Sequence, residues 1–271
     1  MPTTQALDRI LRILLVVTAG LLVLLLVLTV VFFATKGLPA GDADPTVTTT
    51  GGDLPADTDP DPDGVTLPKT SDAGVAYQDK IIFVGDSLTA HLINRGVLTD
   101  GTATKQVWRC ENNMLNLDSK VTQAKIVYPA TGELMTIAEA AKKAKPEIMI
   151  ITLGTDYGVS YLNEADFKAC YTKLVKAVQA ASPSTKIILQ SIFPVTATCT
   201  SLQNDKIDAA NVWVKAVAAE NHCYYLDTQS VLKDNNNCLK TEYCNSNDGI
   251  HLTKGAYEVI LHYIRTHAVA N

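Results

Sequence analysis

The longest apolar run in the chain lies close to its N-terminus, where residues 13–35 include no charged side chain. A helix rises about 1.5 Å per residue and the hydrocarbon core of a bilayer is about 30 Å thick, so about 20 apolar residues span it. The run therefore predicts a transmembrane helix over residues 13–35. The apolar part of a cleaved signal peptide is shorter, about 7 to 15 residues, which favours a retained anchor.

The charges that flank this run predict its orientation. Arg9 and Arg12 precede it, whereas only Lys36 follows it closely. Because the cytoplasmic flank of a membrane helix collects Arg and Lys, residues 1–12 are predicted to be cytoplasmic and the rest of the chain to be exported. Residues 36–74 are rich in Pro, Asp, Thr and Gly, a composition typical of a disordered stalk. The predicted location is thus the cell membrane, crossed in a single pass.

From residue 75 onward, short apolar runs alternate with stretches of helical periodicity. Continuous runs of Ile, Val and Leu are typical of parallel strands that are buried on both faces. The predicted strands cover residues 80–84, 106–108, 148–153, 186–191 and 223–226, and the predicted helices cover 136–145, 164–181, 205–221 and 254–267. This alternation predicts one α/β domain over residues 75–271, a three-layer α/β/α sandwich of flavodoxin-like type around a mostly parallel, five-stranded sheet. Ligands of such sheets bind outside the carboxyl ends of the strands.

Composition narrows the function classes. The chain has 271 residues, of which 47% are hydrophobic and 19% are charged, and its formal net charge is -5. A nucleic-acid-binding protein needs clustered positive charge, so nucleic acid is not an expected partner. The exported part is long enough to form a core without disulfides.

Two short motifs lie in loops where an α/β domain places its chemistry. Gly-Asp-Ser-Leu at positions 85–88 directly follows the first predicted strand, and Asp-Gly-Ile-His at positions 248–251 precedes the last predicted helix. Either motif alone occurs by chance in many loops. Together, in this topology, they resemble the motifs of the GDSL or SGNH hydrolase family, and the resemblance extends over about residues 79–267.

The resemblance implies a catalytic triad. It makes Ser87 the nucleophile, His251 its general base and Asp248 the residue that orients the imidazole. The chemistry supports these roles, because a serine hydroxyl needs an adjacent base to take its proton and histidine titrates in the right range. A carboxylate on the other ring nitrogen fixes the tautomer and stabilises the imidazolium. The alternative role of Ser87 is to cap the helix that follows it.

The other histidines are predicted to be structural or solvated, because none stands a short step after an aspartate in a loop. They are His91, His222, His262 and His267. His91 lies one helical turn beyond Ser87, which places it at most at the edge of the pocket.

The resemblance also implies an oxyanion hole made from the N–H of Ser87, a glycine N–H in a second motif and an asparagine side chain in a third. The last two positions look altered in this chain. Asn113 is the best placement for the glycine, with Asn112 beside it, and Asn tolerates a positive φ better than most residues. Asp156 stands in place of the asparagine, where an ionised carboxylate would repel the oxyanion.

Two hypotheses follow from this aspartate. Either a desolvated, protonated Asp156 donates its O–H to the oxyanion, or the domain is a weak or lost hydrolase that keeps its pocket for binding. Asn112, Thr155 and Tyr157 are expected to line the substrate pocket. Further aromatic residues such as Tyr161 could line an acyl pocket, although the core is their default location.

All the cysteines lie beyond the apolar run, and the even number of 6 in an exported domain suggests disulfides. Their placement in the series of strands and helices narrows the pairings. The predicted bridges are Cys110–Cys199, Cys170–Cys223 and Cys238–Cys244. The paired Cys-x-x-Cys spacing that zinc sites favour does not occur, so no zinc site is expected. No other metal and no cofactor is expected either.

Together these features predict a membrane-anchored, extracytoplasmic serine esterase that hydrolyses small acyl esters, such as acetyl esters, through a Ser-His-Asp triad and an acyl-enzyme. The expected substrate is an acylated small molecule or a glycan of the cell wall or another polysaccharide, and the catalytic domain is expected to be monomeric. Two alternatives remain open. One is transfer of an acyl group to a glycan hydroxyl by the same triad, and the other is a catalytically weak glycan-binding protein.

Overall fold

A computed structural model describes residues 64–245 and 247–270 of the chain. The predicted cytoplasmic segment 1–12, the predicted transmembrane helix 13–35 and the stalk up to residue 63 lie outside the described residues. In the part that is described, no helix is both long enough and apolar enough to cross a membrane.

Strands and helices alternate along the described chain as predicted. The strands are β1 (Ile81–Gly85), β2 (Val107–Trp108), β3 (Lys125–Val127), β4 (Leu134–Thr136), β5 (Ile148–Thr152), β6 (Lys186–Gln190) and β7 (Tyr224–Leu226). The α-helices are α1 (Gly74–Gln78), α2 (Ser87–Arg95), α3 (Ile137–Ala144), α4 (Glu164–Ala181), α5 (Asn204–Glu220), α6 (Gln229–Leu232) and α7 (Lys254–Arg265). Every predicted strand and helix is present, and the ends differ from the prediction by at most 2 residues.

The main sheet contains parallel strands in the order β2-β1-β5-β6-β7. Consecutive strand residues point to opposite faces, so Val84 and Ile151 enter one hydrophobic core while Phe83 and Ile150 enter another. The first core includes side chains of α3, α4 and α5, and the second includes side chains of α2 and α7. A parallel five-stranded sheet with helices on both faces confirms the predicted α/β/α architecture.

The strand order places a crevice between β1 and β5. The chain passes from β1 to β2 on one side and returns to add β5 on the other side. At such a switch point the loops that leave the carboxyl ends diverge and open a binding crevice. The loop after β1 carries Ser87 and the loop after β5 carries Asp156, so both face this crevice region.

β3 and β4 form an antiparallel hairpin outside the main sheet, which the hydrophobic pattern does not predict. Each strand has only 3 residues, and among them only Ile126 is fully buried. Two such short strands are held by their backbone pairing rather than by an apolar period that could be detected in the sequence.

The segment 65–73, which we name the N-terminal strap, departs from the predicted disordered stalk. Leu67 donates its N–H to the carbonyl of Tyr225 in β7 at 2.9 Å, and its side chain is buried. Thr70 donates its N–H to the carbonyl of Thr266, just after α7, at 2.6 Å. The packed domain therefore begins earlier than residue 75. A polar segment can pack in this way because the open edge of β7 offers backbone partners and demands little apolar sequence.

The predicted disulfides are wrong, because no bridge joins the cysteines, all of which lie in the described residues. Cys110 follows β2 and Cys199 follows β6, and β1 and β5 lie between these strands in the sheet. Neighbouring strands are about 4.8 Å apart, so three spacings exceed the Cα separation of about 4.4 to 6.8 Å that a disulfide allows.

The fold also keeps Cys170 and Cys223 apart. The Sγ of Cys223 accepts a hydrogen bond from Gln179, which lies on α4 about 13 Å along the helix axis from Cys170. Cys238 and Cys244 are separated by a short 3-10 helix. Burial raises the pKa of the Cys223 thiol to about 12, so this side chain stays protonated and can donate to the carbonyl of Asn221.

Candidate active site

The turn from β1 into α2 positions the candidate nucleophile. Asp86 caps α2, since its Oδ1 accepts the N–H of Leu88 at 3.2 Å. A Cβ at Gly85 would overlap both the side chain of Thr89 and the backbone of β5, so only glycine fits there. This sharp turn leaves Ser87 as the first residue of α2, with its hydroxyl at the carboxyl edge of the sheet.

The loop of residues 248–251 positions the candidate base. Asp248 Oδ1 accepts the N–H groups of Ile250 at 2.8 Å and His251 at 3.2 Å, which closes a tight turn. Gly249 has a φ of 75°, and a Cβ there would overlap Thr196. The loop packs on the segment after β6 through a 2.9 Å hydrogen bond from the N–H of Thr196 to the carbonyl of Gly249.

The three residues predicted as a triad lie in one line, although Ser87 and His251 are far apart in the sequence. His251 Nε2 is 3.4 Å from Ser87 Oγ, and His251 Nδ1 is 2.6 Å from Asp248 Oδ2. With its proton on Nδ1, the imidazole donates to Asp248 and turns the lone pair of Nε2 toward the serine. The contact to the serine is long, as it often is in a site without substrate.

Asp156 lies where the sequence places the third part of an oxyanion hole. Its Oδ2 accepts the N–H of Ser87 at 3.2 Å, and its Oδ1 accepts the hydroxyl of Ser87 at 3.2 Å. The single hydroxyl proton of Ser87 is thus within reach of both Asp156 and His251. In this arrangement the carboxylate of Asp156 already accepts the N–H of Ser87, which is the donor that an oxyanion would need.

A second carboxyl group lies behind this contact. Asp86 is 1% exposed, and its Oδ2 accepts the N–H of Thr155 at 3.2 Å. Burial, and then the nearby carboxylate of Asp156, raise the pKa of Asp86 to about 7. Asp86 therefore joins the loops after β1 and β5, and it holds a proton more tightly than an ordinary carboxyl group does.

The second oxyanion position differs from its predicted role. Asn113 has a φ of 61°, so this position does require a residue that tolerates the left-handed region, as the sequence predicts. However, its N–H donates to the carbonyl of Cys110 at 3.0 Å, and its side chain accepts a 2.8 Å hydrogen bond from Arg109. Asn112 is exposed and accepts the N–H of Met114. The N–H of Asn113 is thus engaged within its own turn.

The residues predicted to line the pocket divide into buried and accessible groups. Thr155 is buried beside Asp86, so it supports the loop from beneath. Tyr157 stacks on Tyr161 with ring centroids 4.8 Å apart and an interplanar angle of 8°. Tyr161 is 68% exposed, so its default assignment to the core is wrong and the stacked pair presents an aromatic face to solvent.

His91 is closer to the chemistry than the sequence predicts. Its ring lies against the ring of His251, with centroids 4.7 Å apart and an interplanar angle of 32°. The spacing of four residues from Ser87 on one helix was the only signal, and it does not reveal that a distant loop returns to this face. The remaining histidines lie elsewhere: His222 is exposed, His262 faces Asp72 and His267 stacks on Tyr263.

The chain is similar to known proteins over this same region. The GDSL-like lipase/acylhydrolase family matches residues 83–259. A Bacteroides fragilis protein described as an acylhydrolase has a similar fold, with a TM-score of 0.50 and 19% identity over 73% of this chain and 88% of that chain. A GDSL-like lipase of Bacteroides thetaiotaomicron aligns with a TM-score of 0.48 and 17% identity over 69% of this chain and 87% of that chain.

No curated protein matches the sequence of the chain. The family match covers well over half of the 271 residues and includes both short motifs. The chain therefore belongs to the GDSL-like lipase/acylhydrolase family.

Proposed function

We propose that this domain is a serine esterase that hydrolyses small acyl esters, acetyl esters above all, through Ser87, His251 and Asp248. The observation that carries the proposal is the line from hydroxyl to carboxylate, with 3.4 Å from Ser87 Oγ to His251 Nε2 and 2.6 Å from His251 Nδ1 to Asp248 Oδ2. Membership of an acylhydrolase family supports the class of reaction.

In the first half of the proposed reaction, Ser87 Oγ attacks the ester carbonyl carbon while His251 Nε2 takes the hydroxyl proton. The imidazolium that forms is stabilised by Asp248 through Nδ1–H. The tetrahedral intermediate then collapses, the bond to the alcohol oxygen breaks, and Nε2–H returns its proton to that oxygen. The products of this half are the free alcohol and an acyl group on Ser87.

In the second half, a water molecule attacks the acyl carbon and His251 Nε2 takes one of its protons. Collapse of this intermediate breaks the bond to Ser87 Oγ, which regains a proton from the imidazolium. The carboxylic acid leaves, and the serine and the neutral imidazole are restored. No bond to a metal or cofactor is formed in either half.

The oxyanion requires a change at Asp156. The N–H of Ser87 lies at the N-terminus of α2, where the aligned peptide dipoles favour negative charge. In the free protein the carboxylate of Asp156 occupies this donor. We propose that a proton on Asp156 reverses its role, so that its O–H donates to the oxyanion instead of repelling it.

A glycan is the proposed carrier of the acyl group. The stacked Tyr157 and Tyr161 follow Asp156 in the same loop, and Tyr161 is 68% exposed. A flat aromatic face with a hydroxyl at its rim suits the C–H face and the hydroxyls of a sugar ring. The side chains of His251 and Asp248 are 30% and 41% exposed, which leaves room for a large substrate.

Two other functions use the same residues. Acyl transfer to a glycan hydroxyl would need the acyl-enzyme to exclude water, and the exposure of His251 and Asp248 favours hydrolysis instead. Glycan binding with little catalysis is the second candidate. It is favoured by the carboxylate of Asp156 on the N–H of Ser87 and by the N–H of Asn113 bound to the carbonyl of Cys110.

The deciding experiment compares the intact chain with Ser87→Ala on acetylated xylan or acetylated peptidoglycan and measures acetate release. Ser184→Ala is the matched control, because Ser184 is exposed just before β6, at the opposite end of the sheet. We expect release by the wild type and the control, and a loss of about 10⁴-fold or more in Ser87→Ala. No release by the wild type and no labelling of Ser87 by a serine-directed phosphonate would contradict the esterase and leave glycan binding.

We further propose, from the sequence, that residues 13–35 anchor the chain with its N-terminus inside and its catalytic domain outside the cell membrane. Protease added to intact cells should then remove the domain. A domain that resists protease until the cells are lysed would contradict this orientation.

A further inference from the structure

The base His251 and its partner Asp248 belong to one short loop, whereas the nucleophile Ser87 lies on α2. The distance between base and nucleophile therefore depends on what holds this loop close to α2. His251 and Asp248 are three residues apart, so the 2.6 Å contact between them holds the imidazole within its own loop. That contact does not fix the loop relative to α2, which carries Ser87. The hydrogen bond from Thr196 to Gly249 holds the loop on the segment after β6, and a direct contact between the loop and α2 would set the distance from Nε2 to the hydroxyl more closely.

Two side chains of α2 beyond Ser87 make contacts of this kind. The Nε of Arg95 donates to the carbonyl of Leu252, the residue after His251, at 3.1 Å. One turn earlier on the same helix, the ring of His91 lies against the ring of His251 at 4.7 Å between centroids and 32° between planes. The imidazole of His251 is thus held at Nδ1 by Asp248, while its face rests on a side chain of the nucleophile helix.

The surroundings of His91 keep its ring uncharged. Its Nδ1 is buried and has no hydrogen-bond partner among the described residues, so a second N–H there would be buried without an acceptor. Burial and the neighbouring His251 and Arg95 lower the pKa of His91, while the carboxylates of Asp248 and Asp156 oppose that shift. A neutral ring matters at this place, because a positive charge at this distance would oppose formation of the imidazolium on His251.

We infer that His91 is a positioning residue: its neutral ring supports the ring of His251 and keeps Nε2 directed at Ser87 Oγ. This inference rests on the proposed esterase function. It assigns His91 no contact with substrate, and it makes α2 the element that carries the nucleophile and also aligns the base.

The test compares His91→Phe with His91→Ala in the intact chain, with an aryl acetate as substrate. Phenylalanine keeps an uncharged ring, whereas alanine removes the support. We expect His91→Phe to stay within about 3-fold of wild-type kcat, and His91→Ala to lose about 10- to 100-fold in kcat with little change in KM. Asn94→Ala is the matched control, because Asn94 is exposed on the same helix, and it should behave as wild type.

Two kinetic results would overturn the inference. Wild-type kcat in His91→Ala would show that the ring is dispensable. An equal loss in His91→Phe and His91→Ala would show that a ring nitrogen, not the ring face, is what matters.

A second measurement needs neither esterase activity nor a fully active variant. In the wild-type chain labelled with ¹³C-histidine, the ring of His91 should shift the ring resonances of His251 upfield, and His91→Phe should retain such a shift. His267 stacks on Tyr263 and has a ring shift of its own, so the resonance of His251 is assigned by its loss in His251→Gln. No upfield shift of that resonance in the wild type would mean that the rings of His91 and His251 are not in contact in solution. This result is independent of acetate release, so failure of the esterase proposal and failure of the positioning inference can be told apart.

Discussion

The two halves of the candidate site differ in how well their hydrogen bonds suit ester chemistry. In the half that activates the nucleophile, His251 lies between Ser87 and Asp248 with its nitrogens directed at both. In the half that should stabilise the oxyanion, the N–H of Ser87 is bound by Asp156 and the N–H of Asn113 is bound by Cys110. The comparison indicates that the nucleophile is prepared in the free protein, whereas charge stabilisation depends on a rearrangement or on a proton.

Among the residues around the nucleophile, the largest expected effect comes from the activating half. Asp248→Ala removes the carboxylate that fixes the tautomer of His251, so we expect kcat on an aryl acetate to fall by about 10² to 10⁴-fold. Asp100→Ala is the control, because Asp100 is exposed and remote from the triad. If Asp248→Ala retained wild-type kcat, the line of three residues would be a coincidence of packing.

The next effect tests the oxyanion half. Asp156→Asn replaces a carboxylate, which accepts the N–H of Ser87, by an amide that donates at every pH, so activity at pH 8 to 9 should rise by about 10-fold or more. The measurement is an aryl acetate profile from pH 4 to 9 for both chains, with Asp100→Asn as control. An unchanged profile would exclude the proposed donor role of protonated Asp156.

A smaller effect concerns the coupling between the two carboxyl groups. Because the pKa of Asp86 rises from 3.8 to about 7 on folding, the native state binds the proton more tightly than the unfolded state. This contribution to the free energy of unfolding is largest below about pH 4 and is lost as pH rises to about 7. Asp156→Asn removes one cause of the raised pKa, so the decline should be shallower than in the wild type.

Urea unfolding at several values between pH 4 and 8 measures that decline. Asp100→Asn should match the wild type, because it leaves the pair intact. If the free energy of unfolding fell equally with pH in the wild type and in Asp156→Asn, the two carboxyl groups would not interact.

The smallest expected effect concerns the substrate carrier. Tyr161→Ala removes the exposed ring of the stack, so KM for an acetylated oligosaccharide should rise by about 3- to 10-fold while kinetics on an aryl acetate stay unchanged. Val212→Ala is the control for removing an exposed apolar side chain, since Val212 is 67% exposed on α5. Equal kinetics of Tyr161→Ala and wild type on both substrates would argue against a sugar on this face.

The sequence predicts the main sheet well because its strands are continuous apolar runs, which bury both faces. β5 is the clearest case, with every residue from Ile148 to Thr152 buried. The hairpin of β3 and β4 escapes prediction because two strands of 3 residues carry no detectable period. The sequence does not predict the N-terminal strap either, because backbone pairing with an edge strand does not depend on composition.

In the candidate site, too, some features could be predicted from the sequence and others could not. The residues of the triad could be named because short motifs encode their chemistry. The positive φ of Asn113 could be predicted because Asn stands where the family has glycine and tolerates that conformation. The contact between His91 and His251 could not be predicted, because it depends on how a distant loop returns to α2. The disulfide prediction fails for a related reason, since the spacing of strands within a sheet is set by strand order and not by position along the chain.

The N-terminal strap has a mechanical consequence for the domain. Its backbone bonds run from Leu67 to Tyr225 in the edge strand β7, and then from Thr70 to Thr266 beyond α7. A pull on the chain ahead of the strap would load these bonds one after another and release a short length of polypeptide before tension reached the core. The crevice between β1 and β5 lies two strands away from that edge. Under such a load the strap would therefore detach from β7 and α7 first, and the residues around Ser87 would keep their positions.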